Sequence, residues 1–105
     1  MDQGEITSRL RAFVAERNWE QFHTPENLAK SISIEAAELL ECYQWGDARA
    51  DRVRQELADV LTYCLLLADK LDLNLEEIII EKLLETEQKY PVDKAWGNSK
   101  KYDEL

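Results

Sequence analysis

Four carboxylates with one repeated spacing are the residues of this chain best suited to chemistry. Glu35 and Glu38 lie three residues apart in SISIEAAELLECYQW, and Glu56 and Asp59 lie three apart in RQELADVLTYCLLLAD. On a helix, residues at this spacing point from one face. Each pair interrupts an apolar stretch in which no Lys or Arg falls at helical spacing. Negative charge in such a setting is costly unless something positive offsets it, and a divalent cation is the natural candidate.

The identity of the cation follows from the donor atoms. If the two helices pack as an antiparallel hairpin, the pairs converge, and four hard oxygen ligands favour Mg²⁺, with Mn²⁺ as the alternative. The competing interpretation is that these acids are solvated on an outer helix face. A di-iron carboxylate bundle is disfavoured because it needs a Glu-x-x-His element on each of two helices. The single histidine, His23, lies outside both acidic segments.

The elements that must position these acids are helices. Sparse Gly and Pro cut the chain into helical lengths, and no alternating strand pattern appears. We predict four helices: one ending at about Glu16, one from Thr24-Pro25-Glu26 to about Tyr43, one from about Arg49 to Leu71, and one from about Leu75 to Lys89. Their apolar stripes predict an inward-facing set: Leu28, Ile32, Ala36, Leu39, Leu40, Tyr43, Val53, Leu57, Val60, Leu61, Cys64, Ala68, Leu71, Ile78, Ile79 and Leu83. The fold class is therefore all-α, a four-helix bundle or a variant of it, in one domain over residues 1–105.

The composition of the chain limits which binding partners it can have. The chain has 105 residues, a net charge of −9 and a pI of about 4.6. That acidity opposes a nucleic-acid polymer as partner but not a single nucleotide bridged by a metal. Leu65, Leu66 and Leu67 face three directions of the third helix, which indicates cover from a second chain in a homodimer or higher oligomer. The polar start MDQGEITSRL, the absence of a membrane-length apolar run and two cysteines without a disulfide pattern predict a cytoplasmic protein.

Aromatic residues outside the core stripes suggest a binding surface. Trp19 and His23 lie in NWEQFHTPENL, Trp45 in YQWGD and Trp96 in KAWGN. Tryptophans can stack on a nucleobase; the alternative is that they plug bundle ends or an interface. His23 alone is more typical of a hydrogen-bonding residue at a helix entry. Positive groups able to reach phosphates, or else simply solvated, are Lys82, Lys94, Lys100 and Lys101.

With these residues in place, the chain resembles the MazG-like all-α nucleoside triphosphate pyrophosphohydrolases, especially the dCTP pyrophosphatase branch. The family pattern E-x-x-E, spacer, E-x-x-D stands here as Glu35 to Glu38, 17 intervening residues, and Glu56 to Asp59. The flanking WEQFH, YQWG and KYPV make the resemblance specific, and it covers nearly the whole chain.

The resemblance implies an oligomeric helical enzyme, dimer or tetramer, that uses Mg²⁺ to cleave a nucleoside triphosphate into the monophosphate and pyrophosphate, as nucleotide-pool house-cleaning. It implies that the four acids are metal ligands and catalytic residues. It further implies substrate contacts: Trp19 and Trp45 at the base pocket, with Trp45 reaching from a neighbouring chain, and Tyr63 and Lys82 near the phosphates. We add His23 to the predicted substrate-binding residues.

Two departures leave base preference open. Leu10 stands where the dCTP-preferring animal relatives have His, and Thr86 where they have Asn. Trp96 stands where bacterial relatives commonly have a polar residue. Two rivals to the enzyme remain from the sequence: a nucleotide-binding regulatory module without turnover, and a structural helical oligomer whose acids are solvated.

Overall fold

Helices make up the regular structure of residues 1–47 and 49–105, the part of the chain that our computed structural model describes, and that part contains no strands. Five α-helices follow one another: α1 (Gln3–Glu16), α2 (Pro25–Glu41), α3 (Ala50–Lys70), α4 (Leu75–Lys89) and α5 (Val92–Ala95). The all-α prediction is confirmed, and the four long helices agree with their predicted bounds to within two residues. The short helix α5 was not predicted because four residues show no periodicity.

Local chemistry fixes the helix starts. Thr24 Oγ1 accepts a hydrogen bond from the Asn27 backbone N–H at 3.1 Å, and Pro25 occupies the first helical position of α2. Asn74 caps α4 in the same way, accepting from the Glu77 N–H at 3.0 Å. These caps satisfy backbone donors that a helix end leaves without partners, so the starts of α2 and α4 are encoded locally.

The chain divides into two compact units, Met1–Leu73 and Asn74–Leu105. In the first unit, α2 packs along α3, and α1 packs against α3. Three side chains are buried among the described residues, Val14, Leu28 and Ala68, one from each of these helices. Leu28 is 1% exposed, and full burial of a Leu side chain stabilises by about 1.5–3 kcal/mol. The second unit contains α4 and α5. The prediction of one domain over 1–105 stays a prediction.

Much of the apolar surface that the sequence predicted to face inward is exposed. Leu40 is 72% exposed and Leu61 is 52% exposed. The inward prediction is also wrong for other large side chains, which are exposed as well: Tyr43, Leu57, Leu71, Ile79 and Leu83. The physical reason is that periodicity shows which face of a helix is apolar, whereas the number of neighbouring helices in one chain decides how much of that face is covered.

No helix within the described ranges is both long enough and apolar enough to cross a membrane.

Candidate active site

Three of the four predicted acids come together between α2 and α3. Carboxylate oxygens of Glu35, Glu38 and Glu56 all lie within 4.8 Å of one another. Glu35 and Glu38 share a face of α2 because they are three residues apart. The packing of α2 along α3 brings Glu56 to them, so the hairpin that the sequence required is present. We call these three residues the acid cluster.

The acid cluster contains polar atoms that no protein group satisfies. Glu35 Oε2 and Glu56 Oε2 are buried and have no hydrogen-bond partner among the described residues. The three side chains are half-buried. A buried carboxylate oxygen without a partner costs free energy, and a nearby second carboxylate adds repulsion. These two atoms argue against the solvated-face interpretation, because solvated acids keep their oxygens in water.

The electrostatics of the acid cluster show the same unmet charge. A hydrogen bond with Glu38, followed by burial and the charges of Glu38, Asp59 and Glu56, raises the pKa of Glu35 to about 7. Burial is the first cause that raises the pKa of Glu56, followed by its hydrogen bond with Glu38; Arg52 opposes the rise. Carboxyls that share a site in this way hold a proton until a cation replaces it.

Asp59 lies one turn beyond Glu56 on α3, exposed and outside the acid cluster. Its charge nevertheless contributes to the raised pKa of both Glu35 and Glu56. Asp59 therefore belongs to the same negative field but presents its carboxylate at the edge. Tyr63 follows four residues later on α3 and is half-buried.

Trp19 is held at the end of α1 by the backbone. Asn18 has a left-handed φ of 54°, its N–H donates to Ala15 O at 3.1 Å, and the Trp19 N–H donates to Val14 O at 3.0 Å. These two bonds form a Schellman motif, which commonly ends helices. The Trp19 ring meets Phe13 edge-on, with ring centroids 5.6 Å apart, and remains 43% exposed. Trp19 is thus a partly open aromatic face in a fixed position.

His23 lines a cavity of about 280 Å³ in the first unit. Val14, Leu28 and Leu66 supply its apolar part, and charged residues from α1 and α3, Arg11 and Asp69 among them, also line it. Leu28 lies seven residues before Glu35 on α2, and Leu66 lies seven after Asp59 on α3. Because seven residues make two helical turns, the cavity lies on the same helix faces as the acids, about 10 Å along the helices.

Two further predicted substrate residues are Trp45, after α2, and Lys82, on α4. Trp45 follows α2 and is 89% exposed, with Gly46 next to it at a φ of 119°. Lys82 is on α4 in the second unit, where its Nζ lies 3.5 Å from Glu85 Oε2. Sequence reasoning missed Arg11 and Asp69, which pair across 58 residues of chain and carry no local signal.

Comparisons with known proteins identify the family of the chain. Residues 30–105 match the model of the MazG-like family. The chain is 38% identical over 113 aligned residues to "dCTP pyrophosphatase 1" of Rattus norvegicus, covering 96% of this chain and 66% of the rat protein. The Homo sapiens protein of the same name is also 38% identical, with the same coverage. The chain thus spans slightly less than two thirds of the length of these relatives. A crystal structure of a pyrophosphatase from Archaeoglobus fulgidus superposes with a TM-score of 0.80 at 43% identity, covering 84% of this chain and 91% of that one.

Proposed function

The chain belongs to the MazG-like family, and we propose that it hydrolyses (deoxy)nucleoside triphosphates to the monophosphate and pyrophosphate, as a nucleotide-pool house-cleaning enzyme. One observation carries the proposal: three carboxylates converge within 4.8 Å, and two of them have a buried oxygen without a partner. The relatives named dCTP pyrophosphatase 1 and the archaeal pyrophosphatase support the reaction class.

A divalent cation fits the acid cluster. The donors are hard carboxylate oxygens, and the two unpaired buried atoms gain partners when a cation binds. We propose Mg²⁺, with Mn²⁺ as the alternative, held by Glu35, Glu38 and Glu56 and with Asp59 as the fourth ligand at the edge. When bound, the cation supplies charge neutralisation at the phosphates and lowers the pKa of water.

The chain's own residues supply proton transfer. Hydrolysis at the α-phosphorus needs a carboxylate oxygen to accept the proton of the attacking water. Glu35 and Glu38 are the two candidates, because they lie on one face of α2 and Glu38 raises the pKa of Glu35.

We assign the base of the nucleotide to the aromatic side of the first unit. Trp19 offers a fixed, partly open face for stacking, and His23 lines the cavity two helical turns from the acids. Tyr63, one turn past Asp59, and Lys82 on α4 are proposed to contact the phosphates. Trp45, at 89% exposure, is proposed to reach the base pocket of a neighbouring copy.

Base preference is a separate matter. Thr86 is half-buried on α4, and its hydroxyl donates to Lys82 O at 2.9 Å. That hydroxyl is therefore engaged by its own helix rather than offered to a base. Leu10 on α1 brings no polar group. We accordingly propose activity toward deoxynucleoside triphosphates without assigning dCTP preference.

We further propose a homodimer or homotetramer assembled through the helices. Leu40 and Leu61 on the first unit, and Ile80 and Leu84 on α4, are large apolar side chains at least half exposed. Each would gain about 1.5–3 kcal/mol from full burial, and a second copy offers apolar surface of the same kind. A cytoplasmic location, and the absence of nucleic-acid polymer and membrane partners, stay predictions.

The test is pyrophosphate release from a panel of common dNTPs and NTPs, with Mg²⁺ and with chelator. We expect Mg²⁺-dependent formation of monophosphate and pyrophosphate from at least one deoxynucleotide. Nucleotide binding without pyrophosphate release would indicate a nucleotide-binding regulatory module instead of an enzyme. Neither binding nor release would favour the structural oligomer.

A further inference from the structure

An ion pair ties α1 to α3 at the wall of the cavity that His23 lines. Arg11 Nε donates to both carboxylate oxygens of Asp69, at 3.0 Å to Oδ1 and 2.9 Å to Oδ2, and Nη2 also donates to Oδ1. The hydrogen bond from Arg11 is the first cause that lowers the pKa of Asp69. Such a multidentate guanidinium–carboxylate contact fixes orientation as well as distance, which a single exposed pair does not.

Helix α1 has few other attachments to the rest of its unit. Val14 is its one buried residue, and it lies a single turn after Arg11. The Arg11 side chain is 61% exposed, whereas that of Asp69 is 25% exposed. Because α1 has a single buried residue, the ion pair is one of the few contacts that can set the position of this helix along α3; a second, longer pair joins Lys70 of α3 to Glu20, next to Trp19, at 3.8 Å.

Helix α1 holds the exposed aromatic face of Trp19 in position. The Schellman bonds attach Trp19 to the last turn of α1, and the Phe13 ring packs against it from the preceding turn. A shift of α1 therefore moves Trp19 with it. Asp69 in turn lies on the helix that carries Glu56 and Asp59, ten residues after Asp59 or about 15 Å along the axis.

We propose that Arg11 and Asp69 are a positioning pair that sets the distance between the aromatic face at Trp19 and the acid cluster, and so fixes where the substrate base rests relative to its phosphates. The inference rests on the function proposed above. Neither residue contacts the reacting atoms; the pair acts through α1 and its Schellman motif.

The kinetic test compares Arg11→Met, Arg11→Lys and the charge swap Arg11→Asp with Asp69→Arg. We expect Arg11→Met to raise KM about fivefold with kcat nearly unchanged, because an exposed but multidentate pair is worth up to about that factor. Arg11→Lys keeps the positive charge but cannot make the bidentate contact, so its KM should lie between those of the unsubstituted protein and Arg11→Met. The charge swap should recover most of the loss. Arg49→Met is the matched control, since Arg49 pairs with Asp51 only two residues away and links no helices.

A second measurement does not depend on turnover. In a Trp45→Phe, Trp96→Phe background, Trp19 is the remaining tryptophan, and its emission reports its surroundings. We expect Arg11→Met to shift this emission to longer wavelength and to increase quenching by acrylamide, with the charge swap reversing both. The Arg49→Met control should change neither.

Two results would overturn the inference. One is Trp19 emission and quenching that do not respond to Arg11→Met in the folded protein. The other is an equal loss of kcat and kcat/KM that the charge swap fails to recover. If the unsubstituted protein releases no pyrophosphate while the Trp19 signal responds as expected, the proposed function fails and the positioning of Trp19 by the pair still stands.

Discussion

Carboxylates have opposite electrostatic surroundings in two regions of the first unit. In the acid cluster, Glu35, Glu38 and Glu56 face one another, and the pKa of Glu35 rises to about 7. At the far end of the same hairpin, Asp69 faces Arg11 and its pKa is lowered. The same type of side chain is thus satisfied in one place and left with unmet negative charge in the other.

The difference separates structure from function. A paired carboxylate is complete without a ligand and holds helices together. A group of carboxylates whose buried oxygens have no partner costs stability, and such a cost is typical of a site that awaits a cation. Substitutions confined to one region test whether this distinction holds.

The largest effect should come from removing a charge in the acid cluster. Glu38→Gln or Glu56→Gln should lower kcat/KM for pyrophosphate release by about 100-fold or more, because a misplaced or weakly held cation forfeits several kcal/mol of transition-state stabilisation. Circular dichroism should show an unchanged helical fold. Arg49→Met serves as the matched surface control, and a Gln variant that retains near-normal turnover would remove the acid cluster from the mechanism.

Cation binding should raise the stability of the folded protein only when the acid cluster is intact. At 100 times the dissociation constant, Mg²⁺ or Mn²⁺ should add about 2.7 kcal/mol to the free energy of unfolding, which raises the thermal midpoint of a domain of this size by roughly 10–20 °C. Glu56→Gln should reduce this rise strongly, whereas Asp69→Asn should lower the starting midpoint but keep the rise. Equal rises in both variants would mean that the cation binds elsewhere.

The two regions should also give opposite pH dependences. The folded protein holds the Glu35 proton up to about pH 7, above the ordinary value of 4.5, so without metal the free energy of unfolding should fall as pH rises through that window. Asp69, whose pKa is lowered, stabilises above its ordinary value and loses that contribution as pH falls through its lowered pKa. Denaturant unfolding across pH measures both; Glu35→Gln should flatten the first slope and Asp69→Asn the second. An unaltered first slope in Glu35→Gln would assign it to other groups.

The smallest effect concerns the turn that carries Trp19. Asn18 and Asp72 lie two residues beyond the last residues of α1 and α3, with φ values of 54° and 55°, so Asn18→Ala and Asp72→Ala should each destabilise by about 1 kcal/mol in denaturant unfolding. Only Asn18→Ala should also raise KM, since only that turn holds Trp19. Asn18→Gly should keep both the stability and the KM of the unsubstituted protein. A KM rise of equal size in Asp72→Ala would show that the rise comes from a general loss of stability and not from the turn that holds Trp19.

Sequence reasoning reached some of these features and not others, for physical reasons. Caps and breakers are local, so Thr24-Pro25 gave the start of α2 and the i,i+3 spacing paired Glu35 with Glu38. Convergence with Glu56 followed once a hairpin was assumed. The Arg11–Asp69 pair was not predictable, because its partners are 58 residues apart and neither lies in a marked pattern. Exposure of Leu40 and Leu61 was missed because apolar periodicity does not say which chain covers a face.

The most direct test is binding of Mn²⁺ followed by electron paramagnetic resonance, in the unsubstituted protein and in Glu56→Gln. We expect the unsubstituted protein to bind Mn²⁺ in competition with Mg²⁺, and the variant to lose at least tenfold in affinity, since one ligand and one unpaired buried oxygen are gone. Equal binding by both proteins, or no binding by either, would contradict the central claim that the acid cluster holds the cation.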